Sequence, residues 1–237
     1  NPSIFTLIKN MQEVKPTIFI SIPKKWVQLY DYISQSIDIE ISHVVDVKDK
    51  LSEVTGGKLE WGLSAAGYLS PDIFYFFRKH GVNLLSGFGM TEATGGITMT
   101  PPNKYKENSI GIPLPGIETK LSEENELLIR GKYVMKGYFG TRKKIFFEDG
   151  WFPTGDIMKI DEENFHFIFD RKKDIYKNSR GETIAPQKIE NYFLESDFVK
   201  QVFLVGDHKP YNTLLIFPDT ENNLIQEHSK NNQKIQE

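Results

Sequence analysis

The chain has no cysteine, little excess charge and no long hydrophobic run. Without cysteine in its 237 residues, it can form no disulfide or thiolate metal site and offers no cysteine nucleophile. A formal net charge of −3 provides no field for binding nucleic acid, so no nucleic-acid partner is predicted. No apolar run approaches the ~18 residues of a membrane helix, so no transmembrane segment is predicted. The lack of cysteine fits a cytoplasmic location, and peripheral contact with a membrane remains compatible with the sequence.

The chain also begins without a start methionine. Asn1-Pro2-Ser3 has no signal-peptide pattern either, and we interpret the chain as a piece of a longer protein. Apolar residues at 39% and charged residues at 26% are ordinary for a globular protein. A length of 237 residues predicts one or two domains, each able to bury a core. The five histidines are scattered without paired spacing, which argues against a histidine metal site.

The first 100 residues alternate between helix-like and strand-like patterns. Apolar residues at helical spacing predict helices over 3–14 and from Pro23, and a third helix is predicted from Pro71 to Gly81 with Ser70 as its hydroxyl cap. β-branched and apolar runs predict strands over 17–20, 58–65 and 82–85. Strands and helices joined by short links indicate a parallel α/β sheet.

The pattern changes after about Thr100. Short strands are predicted over 118–121, 126–130, 158–160 and 165–169, separated by Gly, Pro, Asn and Asp. Beyond Arg171 we predict a strand near Ile175, a helix over 186–194, strands over 202–205 and 214–217, and a polar helix in the tail 222–237. The predicted domains are therefore 1–170, divided into an α/β part (1–100) and a β-rich part (101–170), and 171–237.

A glycine-rich segment, Gly87-Phe88-Gly89-Met90-Thr91-Glu92, is the first candidate site. We predict a turn here, where glycines let a flat ring approach the backbone and Phe88 can stack on it. Thr91 offers a hydroxyl to a phosphate, and Glu92 offers a hard carboxylate oxygen to Mg²⁺. The segment is not a Walker phosphate loop, and a tight turn with a solvated Thr-Glu pair is the alternative.

An acidic residue and a basic residue further along the chain are the next candidates for ligand binding. Asp156 ends the aromatic segment 150–156, and a carboxylate can accept hydrogen bonds from both hydroxyls of a ribose. Arg171 lies in Asp170-Arg171-Lys172-Lys173-Asp174, and its guanidinium suits a ribose hydroxyl or a phosphate. A turn cap and a solvated basic loop are the alternatives for these two segments.

The order of these segments resembles the adenylate-forming enzymes, and within them the acyl-CoA synthetases of the long-chain fatty-acid–CoA ligase type. The segments that carry the resemblance are 23–30, 64–67, 87–92, 126–131, 135–138, 150–156, 170–174 and 179–186. They cover nearly the whole chain, and their joint order is more specific than any one of them.

The resemblance implies an α/β fold: the C-terminal part of a large adenylate-forming domain (a parallel α/β sheet plus a small β-rich subdomain), followed by an incomplete small α+β domain. It implies that ATP or AMP is contacted by Ala66, Gly67, Gly87, Phe88, Gly89, Met90 and Thr91. Glu92 then corresponds to the Mg²⁺ ligand, Asp156 and Arg171 to the ribose-binding pair, and Lys173 to the hinge between domains. Thr91, Glu92 and Lys173 are the positions assigned to catalysis.

The implied enzyme activates a fatty or other carboxylic acid with ATP, which gives acyl-adenylate and pyrophosphate. The small domain then rotates about Lys173, and the thiol of coenzyme A displaces AMP. Two alternatives stay open: an adenylating enzyme for another acid (aryl, amino or acyl-carrier transfer), and a non-catalytic nucleotide-binding module.

The chain departs from the family in four places. The phosphate loop is expected before Asn1 and the catalytic lysine after Glu237, so the chain alone is expected to show little ligase turnover. Asn125 stands where the family usually has glycine, and Ser179-Arg180-Gly181 replaces a more glycine-rich loop.

Overall fold

The structure, a computed structural model, describes residues 3–39, 41–140, 145–147, 149–196 and 198–220. The helices within these ranges are α1 (Ile4–Val14), α2 (Pro23–Ser36), α3 (Val44–Thr55), α4 (Pro71–Lys79) and α5 (Pro186–Leu194). The strands are β1 (Ile18–Ser21), β2 (Trp61–Ala65), β3 (Asn83–Met90), β4 (Gly95–Met99), β5 (Ile112–Pro113), β6 (Ile117–Leu121), β7 (Glu126–Gly131), β8 (Phe152–Ile160), β9 (His166–Arg171), β10 (Tyr176–Lys177), β11 (Thr183–Ile184), β12 (Val199–Val205) and β13 (Thr213–Pro218). A short 3-10 helix spans Thr91–Ala93. The polar helix predicted for the tail lies outside the described residues.

The chain forms two compact units. Unit 1 comprises the described residues up to Lys120, Leu128–Phe152 and Ile160–Phe167. Unit 2 comprises Leu121–Leu127, Pro153–Lys159 and the described residues from Ile168 onward. The domain boundary between residues 170 and 171 stays a prediction.

Local signals set the ends of the helices in unit 1. Helix α1 begins where the hydroxyl of Ser3 accepts a hydrogen bond from the Thr6 amide at 3.2 Å, and it ends at Lys15, whose φ is 52°. Prolines begin α2 and α4 as predicted. The hydroxyl cap predicted for Ser70 is wrong, because its side chain makes no capping hydrogen bond to the described residues of α4.

Helix α3 was not predicted from the sequence. Val47, Leu51 and Val54 form its buried stripe, and Gly56 ends the helix with a φ of 87°. A Cβ at Gly56 would lie 2.4 Å from the Met11 carbonyl oxygen, so glycine also allows α1 and α3 to approach each other. These apolar side chains join those of α1, α2 and α4 in the core of unit 1.

The sheet of unit 1 has the order β1-β2-β3-β4-β5. Strands β1, β2 and β3 pair in parallel, as predicted, whereas β4 and β5 add to the edge in antiparallel fashion. Helix α2 packs closely on β2 because Gly62 has no side chain: a Cβ there would lie 2.4 Å from the Trp26 ring. The Trp26 indole N–H also donates to the Leu63 carbonyl oxygen at 3.3 Å. The α/β core therefore positions the carboxyl ends of β2 and β3, where the glycine-rich segment lies.

The remaining strands form smaller sheets. Strands β6 to β9 follow the order β6-β7-β8-β9, while β10 pairs with β11 and β12 pairs with β13, both antiparallel. In unit 2 a turn ahead of β7 is closed by Asn125, whose φ is 61° and whose amide donates to the Ser122 carbonyl oxygen at 3.0 Å. Helix α5 begins at Pro186 and ends at Leu194, which confirms the predicted bounds.

Candidate active site

The glycine-rich segment lies mostly within a strand. Strand β3 continues to Met90, so the turn predicted for Gly87–Met90 is wrong, and the chain turns only at Thr91. The reason is close pairing with β4: a Cβ at Gly89 would lie 1.7 Å from the Gly95 carbonyl oxygen. Strand packing alone therefore requires glycine at position 89, independently of any ligand.

The other residues predicted to contact the nucleotide in this region flank the same strand. Ala65 on β2 is in register with Gly87 on β3, so Ala66 and Gly67 follow β2 beside the glycine-rich part of β3. Ala66 has a φ of 67°, a left-handed conformation that is uncommon for a residue with a side chain. Phe88 is half-buried. Unit 1 thus places Ala66 and Gly67, which follow the end of β2, beside the part of β3 that begins at Gly87.

Glu92 is held in place by a segment that follows β7. Its carbonyl oxygen accepts a hydrogen bond from the Met135 amide at 2.7 Å, and its carboxylate Oε1 accepts one from the Tyr138 hydroxyl at 2.7 Å. That hydrogen bond raises the pKa of the Tyr138 phenol. Thr91 is exposed beside it. Tyr138 is not among the predicted site residues, although it ends the segment 135–138, one of the segments that carry the family resemblance.

A single carboxylate fits the way in which Mg²⁺ is usually bound to nucleotide enzymes. Within the described ranges, no group of three or more His, Asp or Glu side chains is placed to hold a metal ion. Mg²⁺ commonly uses one or two carboxylates together with substrate phosphates and water. Glu92, whose Oε1 atom accepts a hydrogen bond from Tyr138, therefore suits the role of the single carboxylate in such a site.

Unit 2 pairs the two residues predicted to bind ribose. Asp156 lies inside β8, which begins at Phe152, so it is not at the end of an aromatic turn as predicted. The Arg171 Nε atom lies 2.9 Å from Asp156 Oδ1. Asp156 is only 2% exposed, and within the part of the chain that the structure describes its Oδ2 atom is buried without a hydrogen-bond partner. Such an atom is costly unless a ligand or water satisfies it.

Burial is the main influence on the charge of Asp156. It raises the pKa of the carboxyl group, while the guanidinium of Arg171 lowers it in part. The Arg171 side chain is 43% exposed, so solvent reaches the cation more than its partner. The pair therefore combines a buried carboxylate with a guanidinium that is partly exposed to solvent.

Lys173 lies in an exposed turn directly after β9. The amides of Asp174 and Ile175 donate to the Arg171 carbonyl oxygen at 2.9 and 3.1 Å, and this closes the turn.

The predicted site residues form two sets. Residues Ala66 to Glu92 belong to unit 1, and Asp156, Arg171 and Lys173 belong to unit 2.

The family of the chain follows from comparison with known proteins. The sequence pattern of the AMP-binding enzymes matches residues 2–139, more than half of the chain, and that of the AMP-binding enzyme C-terminal domain matches residues 173–236. The chain belongs to the AMP-binding enzyme family.

Its curated relatives include ligases of long-chain fatty acids. The long-chain-fatty-acid–CoA ligase FadD15 of Mycobacterium bovis is 28% identical over 92% of this chain and 42% of the relative. The long-chain-fatty-acid–CoA ligase 6 of Rattus norvegicus is 31% identical over 91% of this chain and 37% of the relative. The chain therefore spans about two fifths of the length of the curated relatives it matches. The resemblance to acyl-CoA synthetases seen in the motifs is confirmed.

Solved structures support the fold. The o-succinylbenzoate CoA synthetase of Bacillus subtilis, in complex with its acyl-adenylate intermediate, superposes with a TM-score of 0.75 at 19% identity, over 96% of this chain and 46% of that one. The anthranilate CoA ligase AuaEII, in complex with anthranoyl-AMP, gives a TM-score of 0.72 at 19% identity, over 95% and 44% of the two chains. The predicted α/β fold class is confirmed. No helix in the described ranges is long and apolar enough to cross a bilayer.

Proposed function

We propose that the protein to which this chain belongs is a fatty acid–CoA ligase that works in two half-reactions. In the first, a carboxylate oxygen attacks the α-phosphorus of ATP and pyrophosphate leaves, which gives the acyl-adenylate. In the second, the coenzyme A thiol loses its proton, its sulfur attacks the acyl carbon, and AMP leaves. Positioning of the reactants and stabilisation of developing charge supply most of the rate in such transfers.

The ion pair of Asp156 and Arg171 carries the proposal. In this proposal its buried Oδ2 atom, which has no donor among the described residues, would accept from ribose hydroxyls, and the Arg171 guanidinium, 2.9 Å from Oδ1, orients the carboxylate and opposes in part the effect of burial on its pKa. In an ion pair with only a structural role, a buried oxygen that has no donor would lower the stability of the fold. Ribose binding gives this oxygen a partner.

The residues of unit 1 have complementary roles in this proposal. Gly87, Phe88 and Gly89 would face the adenine ring, together with Ala66, Gly67 and Met90, and Thr91 would donate its hydroxyl to a phosphate oxygen. Glu92 would hold Mg²⁺, which supplies positive charge against the phosphates when it is bound. The hydrogen bond from Tyr138 supports this role, because it orients the carboxylate of Glu92.

Lys173 is the proposed pivot of the small domain. Its position in an exposed turn, next to a strand end, suits a residue that absorbs a change in backbone angles. Rotation at this point would exchange the surfaces that serve the two half-reactions.

The acid is proposed to be a medium- or long-chain fatty acid. The relatives at 28–31% identity are named for long-chain fatty acids, whereas the aryl-acid ligases at 19% identity share only the fold. The cytoplasmic location and the peripheral membrane contact stay predictions.

ATP–pyrophosphate exchange by the parent protein, measured with a panel of fatty, aryl and amino acids, tests the proposal. We expect exchange that depends on a fatty acid and on Mg²⁺. Exchange with an aryl or amino acid alone would move the protein to another adenylating class. Binding of AMP without exchange for any acid would favour a non-catalytic nucleotide-binding module.

A further inference from the structure

Glu126, the first residue of β7, is a charged side chain that unit 2 buries. It is only 7% exposed, although a carboxylate is rarely buried unless it is fully paired. Two donors reach it: the Gly155 amide bonds to Oε1 at 3.0 Å, and the Lys172 Nζ atom bonds to Oε2 at 2.9 Å. Both oxygens of the buried carboxylate are therefore engaged.

The two partners of Glu126 are neighbours of the proposed ribose-binding pair. Gly155 precedes Asp156, and Lys172 follows Arg171. A further hydrogen bond, from the Lys172 amide to the Gly155 carbonyl oxygen at 2.8 Å, joins these two positions directly. Glu126 thus links β8 and the end of β9 on both sides of the Asp156–Arg171 contact.

We propose that Glu126 is a positioning residue for nucleotide binding, which sets the separation and orientation of the Asp156 carboxylate and the Arg171 guanidinium. This inference rests on the proposed role of that pair in holding ribose. Gly155 has a φ of 78° and no side chain to anchor it, and the Arg171 side chain is 43% exposed. The hydrogen bonds of Glu126 therefore act with the Lys172–Gly155 backbone hydrogen bond to set the positions of the pair.

Glu124 provides a matched control. Its carboxylate also contacts the Lys172 Nζ atom, at 2.6 Å, but its side chain is 72% exposed. Exposed ion pairs of this kind contribute little, because water solvates both charges. Removing the charge of Glu124 therefore tests the ion pair with Lys172 without touching the contact between Glu126 and Gly155.

Glu126→Gln is the informative variant. The Gly155 amide and the Lys172 ammonium reach different oxygens of Glu126, and in glutamine one of these two positions is an NH₂ group, which donates and cannot accept. The variant keeps the volume of the side chain and loses one of the two links.

The experiment measures binding of AMP and of 2′,3′-dideoxy-AMP to the parent protein by calorimetry. The unmodified protein is expected to prefer AMP. Glu126→Gln is expected to weaken AMP binding by about tenfold and to leave dideoxy-AMP binding within about twofold. Glu124→Gln is expected to leave both affinities within about twofold. A general loss of structure would instead weaken both ligands equally.

The outcomes separate this inference from the proposed function. If the unmodified parent protein binds neither ligand, or binds both equally, the ribose role of Asp156 fails and this inference fails with it. If the unmodified protein prefers AMP and Glu126→Gln keeps that preference, only the positioning role is overturned. If Glu126→Gln does not fold, Lys172→Met tests the same link from the other side, and an unchanged preference there also overturns the inference.

Discussion

Replacing Asp156 with asparagine should weaken nucleotide binding while it stabilises the fold. The substitution keeps the shape of the side chain and removes its charge. Asparagine can still accept from Arg171 through one oxygen, but the amide nitrogen at the other position cannot accept from a ribose hydroxyl. A hydrogen bond to a charged group contributes about 1.5–3 kcal/mol, so AMP affinity should fall by roughly 10- to 150-fold.

The expected stabilisation follows from the burial of the carboxylate. Burial raises the pKa of Asp156 in the folded protein, so the folded state binds a proton more tightly than the unfolded state does. Stability should therefore fall as the pH rises from the ordinary aspartate pKa through the raised one, and the loss should persist at neutral pH. The neutral asparagine avoids this cost, and Arg171, at 43% exposure, remains solvated without its partner.

Calorimetric titration with AMP would measure the change in affinity, and thermal unfolding at several pH values from 3 to 8 would measure the change in stability. Both measurements compare the unmodified protein with Asp156→Asn. The asparagine variant should unfold at a higher temperature at pH 7, and the difference should shrink as the pH approaches the ordinary aspartate pKa. An asparagine variant that binds AMP normally and unfolds at a lower temperature would refute the reasoning, since Asp156 would then be a structural ion pair.

Three further changes test other parts of the structure. Gly89→Ala should destabilise the protein by about 1–3 kcal/mol in denaturant unfolding, because the new Cβ would lie 1.7 Å from the Gly95 carbonyl oxygen. Gly67→Ala is the control: its Cβ would lie 3.3 Å from the nearest atom, so it should destabilise the protein less. Equal losses of stability in the two variants would contradict the pairing of β3 with β4. Tyr138→Phe should raise the Mg²⁺ concentration needed for half-maximal ATP–pyrophosphate exchange by the parent protein, because Glu92 loses the donor that orients it; an unchanged Mg²⁺ dependence would count against that role. Lys173→Pro should slow thioester formation more than adenylation when the two half-reactions are measured separately, and equal losses would argue against the pivot.

Sequence patterns predicted the parts of the fold that depend on neighbours along the chain. Helices α2 and α5 both begin at a proline, and the bounds of α5 match the prediction. These signals are local, since a proline at the first helical turn acts through its own ring and missing N–H. Helix α3 carried an apolar stripe and a terminal Gly56 as well, so its signal was present in the sequence and was missed.

The conformation of the glycine-rich segment depended on a partner strand. Glycines suggested a turn, yet Gly89 is in β3 because Gly96 and Gly95 on β4 let two backbones approach closely. A glycine pattern does not distinguish a turn from a tight strand pair, and the distinction requires knowledge of the pairing.

The candidate site was predicted by residue type but not by its supporting contacts. Asp156 and Arg171 were selected by chemistry, and unit 2 pairs them. Glu126 had no assigned role, because the residue that makes its burial tolerable, Lys172, is 46 positions away in the chain. Single-sequence reasoning identifies a charged residue on a strand, but it cannot tell whether a distant cation neutralises that residue.

Asn125 shows that a residue other than the expected glycine can adopt the same backbone conformation. The resemblance to the family leads us to expect glycine there, and the observed φ of 61° is one that both glycine and asparagine can adopt, because asparagine tolerates left-handed geometry better than most residues with a side chain. Its amide and carbonyl groups, bonded to Ser122 and Met158, depend on that geometry and not on the side chain. A family signature that insists on glycine at this corner would therefore reject chains whose main chain follows the same path, and a search that accepts either residue would retain them.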